Sequence, residues 1–369
     1  MRKAFKYRLW TNKGQETKLE SLFDSARFLY NCALEHRIVC WKQWKKSINY
    51  YDQANSLKEI RSFDDGIAQL NFSASQDILR RLDKAFQAFF RRIKTVEKPG
   101  FPRFKGRDRF DSITFPCYGD GVKLKGTKLY LQNIGQVRLR LHRELEGKIK
   151  TVTIKREAGH FYAVFSCDDV IPEVLPVSDS EVGIDVGIKS LAVLSTGEII
   201  DNPKHLKQSE SKLKELQSQH SKKRTRKTRK KLVRLHTKVS NQRKDFLHKL
   251  SRQIVDRFGF IFVETLNTKR MASGENSTLN KYIHDAAWSF FFNCLSYKAE
   301  EAGRKLIKVN PRNTTQICSH CGLIVPKDLS VRVHDCSCGL KIDRDLNAAL
   351  NILKLGRSFC SKQEAVCLG

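Results

Sequence analysis

The sequence of 369 residues contains no run of about 18 apolar residues, the usual minimum for a membrane-spanning helix. Its first ten residues, from Met1 to Trp10, include four cations and lack the apolar core of a signal peptide. We therefore expect a protein without a membrane span that stays in a reducing, cytoplasmic compartment. The sequence also lacks internal repeats and long low-complexity tracts, and its length predicts two to four modules.

Disulfide bonds are not expected, although the chain has eleven cysteines, because a reducing compartment keeps thiols reduced. Seven cysteines are scattered along the chain, and most of these are interpreted as small buried hydrophobic residues or spectators. The scattered cysteines are Cys32, Cys40, Cys117, Cys167, Cys294, Cys360 and Cys367. The other four are close together in the sequence, as Cys318-Ser-His-Cys321 and Cys336-Ser-Cys338. Their clustering requires a separate explanation.

Acidic residues are too few to balance the basic ones. Lys and Arg number 69 and Asp and Glu number 39, which leaves a formal net charge of +30. Such a charge repels itself in a compact fold unless a polyanion neutralises it. A ribosomal or merely basic globular protein would share this composition. Each Lys or Arg that contacts a phosphate releases a counterion from the nucleic acid, which favours binding. We therefore predict that the chain binds nucleic acid.

The first half of the chain has both strand-like and helical patterns. Residues 3–9 predict a strand, and apolar residues at three- and four-residue steps predict helices over 15–44 and 73–93. Short alternating runs between 112 and 167, separated by glycines, predict a small β-barrel or sandwich. We expect the first strand to pair with this sheet. That interpretation gives a β-barrel of residues 1–10 and 98–172 and a helical insertion of residues 11–97.

The second half predicts a separate α/β module after a proline-containing linker at residues 173–180. Three short runs between Gly183 and Asp201 are typical of the meander that opens an RNase H-like fold. A buried strand at 260–264, a helix at about 282–301 and a strand at 305–309 follow. The whole chain is thus an α+β multidomain protein. Its second half comprises an α/β domain of residues 181–310 and 343–358, an inserted segment of residues 311–342 and a tail of residues 359–369.

A strongly basic helical pair is predicted between residues 205 and 258. Its middle contains Lys222, Lys223, Arg224, Arg226, Lys227, Arg229 and Lys230, and no acid lies among them. A solvated helix face is the alternative, but like charges at this density destabilise a bare helix. We therefore predict contact with a phosphate backbone. The same contact is predicted for the turn-rich segment that contains Arg103, Lys105 and Arg107.

Three acids stand out in this basic chain. Asp185 lies inside an apolar run, Glu264 ends another, and Asp345 lies near the start of the last predicted helix. Each has a structural explanation of its own, such as pairing with a cation or with a helix dipole. In this order they fit an RNase H-like nuclease, whose carboxylates hold two divalent ions about 3.5–4 Å apart around a phosphate. Mg²⁺ suits such a site, and Asp343 is the alternative to Asp345.

The clustered cysteines have the spacing of a zinc ribbon. Four thiolates leave no open coordination position, so a bound Zn²⁺ would be structural. A redox role for the first pair is an alternative, as is replacement of one thiolate by His320 or His334. The ribbon lies between Glu264 and Asp345 in the sequence and is therefore an insertion into the α/β domain. The predicted zinc ligands are Cys318, Cys321, Cys336 and Cys338.

Several motifs resemble those of the TnpB family, transposon-encoded RNA-guided DNA endonucleases related to type V CRISPR effectors. The resemblance extends over nearly the whole chain, and the ordered set of motifs is specific. The motifs are Ala26-Arg-Phe-Leu-Tyr-Asn31, Gly100-Phe-Pro-Arg-Phe-Lys105, Gly183-Ile-Asp-Val-Gly-Ile-Lys189, Asp285-Ala-Ala-Trp288, Thr315-Gln-Ile-Cys-Ser-His-Cys-Gly322, Cys336-Ser-Cys-Gly339 and Asp343-Arg-Asp-Leu-Asn-Ala-Ala349.

The resemblance implies a wedge-like β-barrel with a helical recognition insertion, followed by a RuvC domain that contains the ribbon. It implies a guide RNA from the transposon end that pairs with one strand of double-stranded target DNA, while the protein reads a short flanking motif. The host would be a bacterial or archaeal cell, with the protein at the nucleoid when it is bound to DNA. The implied catalytic acids, which hold Mg²⁺, are Asp185, Glu264 and Asp345.

The flanking motif is read in such proteins by polar side chains of the recognition helices and the adjacent wedge. Positions here that resemble those readers are Tyr50, Asn55 and Gln76. Glutamine suits bidentate recognition of adenine. A solvated helix face is the alternative explanation for all three positions.

Three rival functions share parts of this pattern. A guide-directed DNA-binding repressor would have lost one or more of the acids, and here all three are present. A junction resolvase does not explain the basic helical insertion or the ribbon. A transposase that catalyses strand transfer can use the same fold. Cleavage that follows a changed guide sequence would exclude the last two.

Overall fold

A computed structural model describes residues 1–107, 109–267, 271, 277–328 and 330–367. The chain forms two compact units, Met1–Ile171 and Pro172–Gly369. The finer domain boundaries given above stay predictions. Among the described helices, none is both long enough and apolar enough to cross a membrane.

The first unit is built on an antiparallel sheet. Its strands are β1 (Lys3–Trp10), β2 (Ser112–Phe115), β3 (Val122–Lys125), β4 (Lys128–Leu131), β5 (Gly135–Arg140), β6 (Lys148–Glu157) and β7 (His160–Asp168). They are hydrogen-bonded in the order β2-β6-β7-β1-β5-β4-β3. The predicted pairing of the first strand with the later ones is confirmed, since β1 lies between β5 and β7. In the described part of the chain the edge strands β2 and β3 are not paired with each other, so hydrogen bonds do not close the predicted barrel.

Four helices lie between β1 and β2 in the sequence: α1 (Lys13–Trp44), α2 (Tyr50–Phe63), α3 (Asp65–Ala68) and α4 (Phe72–Lys94). The prediction contained only α1 and α4. Helix α2 buries only Gln53 and Leu57, and its apolar residues Ile60 and Phe63 are exposed, so it has no apolar stripe that faces a core. Its start is nevertheless encoded, because Asn49 and Asp52 form a capping box.

The second unit contains a mixed five-stranded sheet. Its strands are β8 (Glu181–Val186), β9 (Ser190–Leu194), β10 (Ile199–Asp201), β11 (Phe260–Glu264) and β12 (Lys305–Val309). They follow the order β10-β9-β8-β11-β12. The first three strands form an antiparallel meander, and β11 runs parallel to both β8 and β12. All five strands were predicted from the sequence.

Helices and a hairpin complete this unit. They are α5 (His205–Gln208), α6 (Glu210–Lys222), α7 (Arg226–Arg257), α8 (Ser277–Ala286), α9 (Trp288–Glu301), the hairpin of β13 (Val333–Asp335) and β14 (Lys341–Asp343), and α10 (Arg344–Cys367). The single helix predicted over 282–301 is wrong, because Ala287 has a left-handed φ of 51° that separates α8 from α9. Helix α10 continues through Gly356 to Cys367, so it includes most of the segment predicted to be a tail, residues 359–369.

Candidate active site and metal centre

Two acids lie side by side at one end of the five-stranded sheet. Strands β8 and β11 are parallel, and Ile184 pairs with Val263 in their register. Asp185 and Glu264 each come one residue later, where parallel strands bring equivalent positions together. Both side chains are nearly buried, at 9% exposure.

Asp345 joins them from the first turn of α10. This helix packs on β8 so closely that a Cβ atom on Gly183 would lie 2.2 Å from the backbone oxygen of Ala349. The space beside Gly183 is thus filled by α10. The glycine allows the helix with Asp345 to approach the strand with Asp185.

The electrostatics of the three acids follow from this convergence. Burial raises the pKa of Asp185 well above its usual value, and the charges of Glu264 and Asp345 raise it further, while Arg344 acts in the opposite direction. Burial also raises the pKa of Glu264, against a hydrogen bond that the Thr314 hydroxyl donates to Oε1 at 2.5 Å. Converging acids with perturbed pKa values mark a candidate functional site.

Asp343 and Asp345 have different surroundings. Oδ1 of Asp343 accepts the backbone N–H groups of Asp345 at 2.8 Å and Leu346 at 3.2 Å, which makes Asp343 the N-cap of α10. The carboxylate of Asp345 instead lies 3.0 Å from Nη2 of Arg344 and 3.9 Å from Nη1 of Arg332. The charge of Asp345 is also one of the main causes that raise the pKa of Asp185.

The four clustered cysteines could hold a metal ion, since their sulfur atoms all lie within 4.8 Å of one another. Among the residues described, they form the one such group of three or more His, Cys, Asp or Glu side chains. The sulfurs of Cys318 and Cys338 are 3.7 Å apart, and those of Cys321 and Cys336 are 3.6 Å apart.

Each cysteine pair lies on a tight turn. The N–H of Gly322 donates to the backbone oxygen of Cys318 at 3.0 Å, and the N–H of Gly339 donates to the backbone oxygen of Cys336 at 2.9 Å. Both glycines have the positive φ that favours glycine. Burial opposes ionisation of Cys318, yet backbone N–H groups of the same turn lower the pKa of its thiol to about 5. A thiolate at neutral pH is the form that binds metals.

The grouped ligand atoms are the four sulfurs, and neither alternative histidine is among them, although the His334 side chain hydrogen-bonds to Cys318. His320 is exposed. The ring of His334 is buried, and its Nδ1 is hydrogen-bonded to Nζ of Lys327. Four sulfurs of this kind could hold one metal ion in a tetrahedral arrangement.

The predicted nucleic-acid contacts lie on the surface. The basic residues from Lys222 to Lys230 are all exposed, at the end of α6 and the start of α7. Arg103 and Arg107 are also exposed, and Arg107 lies 3.6 Å from Asp24. Lys105 is half-buried, since its backbone N–H and C=O both bond to the Asn31 side chain, at 2.8 and 3.0 Å.

The three predicted motif readers are in the helical part of the first unit. Tyr50 and Asn55 are on α2 and Gln76 is on α4. Asn55 is exposed and Gln76 is half-buried. The ring of Tyr50 lies 5.1 Å from the guanidinium of Arg80, in a cation–π contact.

Three polar residues near the acids were missed by the sequence interpretation. Thr314, Asn347 and Asn351 are buried and hydrogen-bonded to the segments around Glu264 and Cys318. The sequence signal for the two asparagines is their four-residue spacing, which places two amides on one face of the otherwise apolar stretch from Leu346 to Leu353.

Comparison with known families finds matches along most of the chain. Residues 1–46 match a model described as "Helix-turn-helix domain", residues 166–274 one described as "Probable transposase" and residues 288–352 one described as "Cas12f1-like, TNB domain". In the first of these segments the structure has a strand followed by one long helix, β1 and α1.

Two curated relatives align over almost their full length. A protein of Streptomyces pristinaespiralis named "Putative RNA-guided DNA endonuclease" is 32% identical, with 96% of this chain and 90% of the relative covered. An Escherichia coli K12 protein named "Putative RNA-guided DNA endonuclease InsQ" is 30% identical, with 99% and 95% covered. A solved structure of the mini-RNA-guided endonuclease CRISPR-Cas_phi3 has a TM-score of 0.51 at 8% identity, over 96% of this chain and 92% of that one, which shows similarity of fold.

Proposed function

The chain belongs to the TnpB family of transposon-related RNA-guided DNA endonucleases, and from this we propose that Asp185, Glu264 and Asp345 form its nuclease site. The observation that carries the proposal is the convergence of three acids from β8, β11 and α10 in a chain of net charge +30. A meander followed by parallel strands supports assignment of this sheet to a RuvC-like domain.

The donor set of this site fits Mg²⁺. Carboxylate oxygens are the ligands that this ion prefers, and the three acids repel one another unless cations neutralise them. Bound at these acids, a pair of divalent ions would activate water and stabilise the leaving oxygen of a phosphodiester. The chain's own residues orient the ligands: Thr314 donates to Glu264, and Arg344 pairs with Asp345.

The cysteine cluster is proposed to be the centre of a zinc ribbon within residues 311–342. Its four sulfurs are within 4.8 Å of one another, and two glycine turns present them. Zinc bound by four thiolates has no position for a substrate, so the ion stabilises the local fold. The match of residues 288–352 to the Cas12f1-like TNB model supports this assignment.

We propose a guide RNA from the transposon end and double-stranded target DNA as the partners. Named relatives are RNA-guided DNA endonucleases, and the exposed cations from Lys222 to Lys230 and at Arg103 and Arg107 suit phosphate contacts. Guide pairing would select the target, while Tyr50, Asn55 and Gln76 in the helical insertion would read the flanking motif. Such a protein would act in the cytoplasm, at the nucleoid of a bacterial or archaeal host.

A change of guide tests the proposed function directly. The protein is expressed with its native downstream DNA, and the RNA that copurifies is sequenced and then retargeted in its terminal segment. Cleavage that moves to the newly matched DNA supports the proposal. Random cellular RNA, or cleavage that ignores the guide, would favour a guide-independent resolvase, and joined rather than hydrolysed ends would favour a transposase.

The site assignment has its own test. Asp185→Ala is expected to abolish cleavage while guided DNA binding remains, because only metal ligation is removed. Binding is measured by electrophoretic mobility shift with matched and mismatched targets. Cleavage by the variant at the rate of the unchanged protein would refute the assignment of Asp185.

A further inference from the structure

A chain of buried hydrogen bonds connects the cysteine cluster to the acids. It begins at Thr314, which is 2% exposed and donates its hydroxyl to Oε1 of Glu264 at 2.5 Å. The backbone oxygen of Thr314 accepts the side-chain amide of Asn351 at 2.8 Å. A buried amide is costly unless its hydrogen bonds are formed, so the contact fixes the backbone from which Thr314 reaches Glu264.

The same network holds the first cysteine turn. Asn351 also donates to the backbone oxygen of Ile317 at 2.7 Å, and Asn347 donates to that oxygen at 2.8 Å. The side-chain oxygen of Asn347 accepts the N–H of Ser319 at 2.9 Å. Ile317 and Ser319 are the two neighbours of Cys318. The backbone on both sides of a metal-binding cysteine is therefore bonded to α10.

Both asparagines lie on the helix that begins with Asp345. Residues four apart share a helix face, and this face of α10 meets the cysteine turn while the first turn supplies the acid. The network therefore reaches both sites. Thr314 bonds to Glu264, and the two asparagines, which belong to the helix of Asp345, bond to both neighbours of Cys318. Loosening the cysteine turn would free the partners that hold Thr314 and α10.

We propose that Thr314, Asn347 and Asn351 are positioning residues that couple metal binding at the four cysteines to cation binding at Asp185, Glu264 and Asp345. The proposal rests on the nuclease and ribbon assignments made above. Coupling of two binding sites is reciprocal. Zinc in the ribbon therefore strengthens cation binding by the acids, and a cation at the acids strengthens zinc binding by the same factor.

Binding of Mn²⁺ as a probe, measured calorimetrically on the zinc-loaded protein–guide complex without target DNA, tests the first link. Thr314→Val removes the hydroxyl and keeps the shape of the side chain, and Thr314→Ser keeps the hydroxyl. Loss of a residue that orients a metal ligand typically weakens binding about 10- to 100-fold. We expect a weakening of that size for Thr314→Val and a change under about twofold for Thr314→Ser. Equal affinity of the valine variant and the unchanged protein would overturn the proposal.

Zinc affinity provides a second, independent readout, measured by equilibrium competition with a zinc-selective chelator. Mn²⁺ is expected to tighten zinc binding in the unchanged protein, and Asn347→Ala or Asn351→Ala is expected to abolish that effect. Ser358→Ala, an exposed change on the same helix, should leave it intact. If Thr314→Val does not fold, the asparagine variants decide the question, and tightening that persists in both contradicts the coupling.

Asp185→Ala distinguishes a failed coupling from a failed nuclease assignment. When this variant loses Mn²⁺ binding while Thr314→Val keeps it, the site is correct and the coupling is wrong. When Asp185→Ala itself binds Mn²⁺ like the unchanged protein, the nuclease site is misassigned and the coupling falls with it.

Discussion

Gly356 of α10 lies against the ring of Phe262 on β11, so closely that a Cβ atom on Gly356 would be 2.0 Å from ring carbon Cδ1. The last residue of β11 is Glu264, and the first turn of α10 contains Asp345. This close fit therefore helps to set the distance between two elements that supply acids. It also explains why a glycine occupies the interior of a long helix.

Gly356→Ala is expected to destabilise the second unit. Alanine favours a helix over glycine by about 1 kcal/mol, but overpacking of a tight core costs about 1–3 kcal/mol, and a 2.0 Å approach to a ring makes the second effect larger. Urea unfolding measures the change. Gly106→Ala is the control, since its Cβ would meet nothing within 4 Å. An unchanged urea midpoint for Gly356→Ala would show that α10 and β11 move apart to accommodate the added methyl group at little cost in stability.

Asp343 and Asp345 should respond differently to the same substitution. Asp345→Asn is expected to lower the cleavage rate by at least about 100-fold, because it removes a ligand charge at the metal site. Asp343→Asn should keep most activity, since asparagine is also a good N-cap and the change in stability stays near a few tenths of a kcal/mol. Plasmid cleavage with a matched guide measures both. The reverse pattern would make Asp343 the third acid.

The sequence identified this candidate site because its three acids have local signatures. Asp185 and Glu264 belong to apolar runs that fold as adjacent strands, as predicted, and Asp345 starts a helix that was also predicted. The role of Gly183 could not be inferred, since the neighbour that excludes a side chain there is Ala349, far away in the sequence. Close packing between distant segments has no local pattern.

Asp185 predicts how stability varies with pH in the absence of divalent cations. Its raised pKa means that the folded chain binds this proton more tightly than the unfolded chain, whose value is near 3.8. The free energy of unfolding therefore falls as pH rises from that value through the raised pKa. Asp185→Asn should be more stable than the unchanged protein at pH 8, with a smaller difference at pH 5.

Thermal unfolding in magnesium-free buffer at the two pH values provides the measurement. The exposed Asp179 supplies a control, since Asp179→Asn lies in the linker, away from the acid cluster. Added Mg²⁺ should stabilise the unchanged protein more than Asp185→Asn, because only the intact site binds the ion well. A stability difference that is the same at pH 5 and pH 8 would mean that Asp185 ionises freely in the folded state.

Zinc binding is expected to need all four cysteines. Elemental analysis should find about one zinc ion per chain in metal-replete protein. Cys338→Ser should lose most of it and lower cleavage, because a structural zinc ion contributes directly to local folding. Cys117→Ser, at an exposed cysteine of the first unit, should retain zinc and activity. Absence of zinc from the metal-replete unchanged protein would remove the ribbon assignment.

The exposed cations between α6 and α7 should determine how RNA binding depends on salt. Replacing Lys222, Lys223 and Arg224 with Gln should lower the slope of log affinity against log salt by about 2–3, since each phosphate contact contributes about 0.7–0.9. Lys249→Gln is the control on α7, because Lys249 is paired with Asp245 at 2.7 Å. Filter binding of the guide RNA at several salt concentrations provides the slopes. An unchanged slope would place the RNA elsewhere.

Helical segments show where sequence patterns stop being informative. The apolar stripe of α4 includes Ile78, Leu82 and Phe86, which are buried as predicted. Helix α2 has no such stripe, and only its cap at Asn49 marks it. The break at Ala287 has no glycine or proline to announce it, and the left-handed conformation of this alanine is uncommon for a residue with a Cβ atom. Packing decides such features.

Strand β1 has a further consequence for how the first unit reaches its native state. Its two neighbours, β5 and β7, begin at Gly135 and His160, so the centre of the sheet joins segments that are synthesised more than a hundred residues apart. Strands so far apart in the sequence pair slowly, because the chain loses the entropy of loop closure before the stabilising contacts form. During translation both edges of β1 therefore stay unpaired until β5 and β7 have been synthesised, and unpaired strand edges favour aggregation.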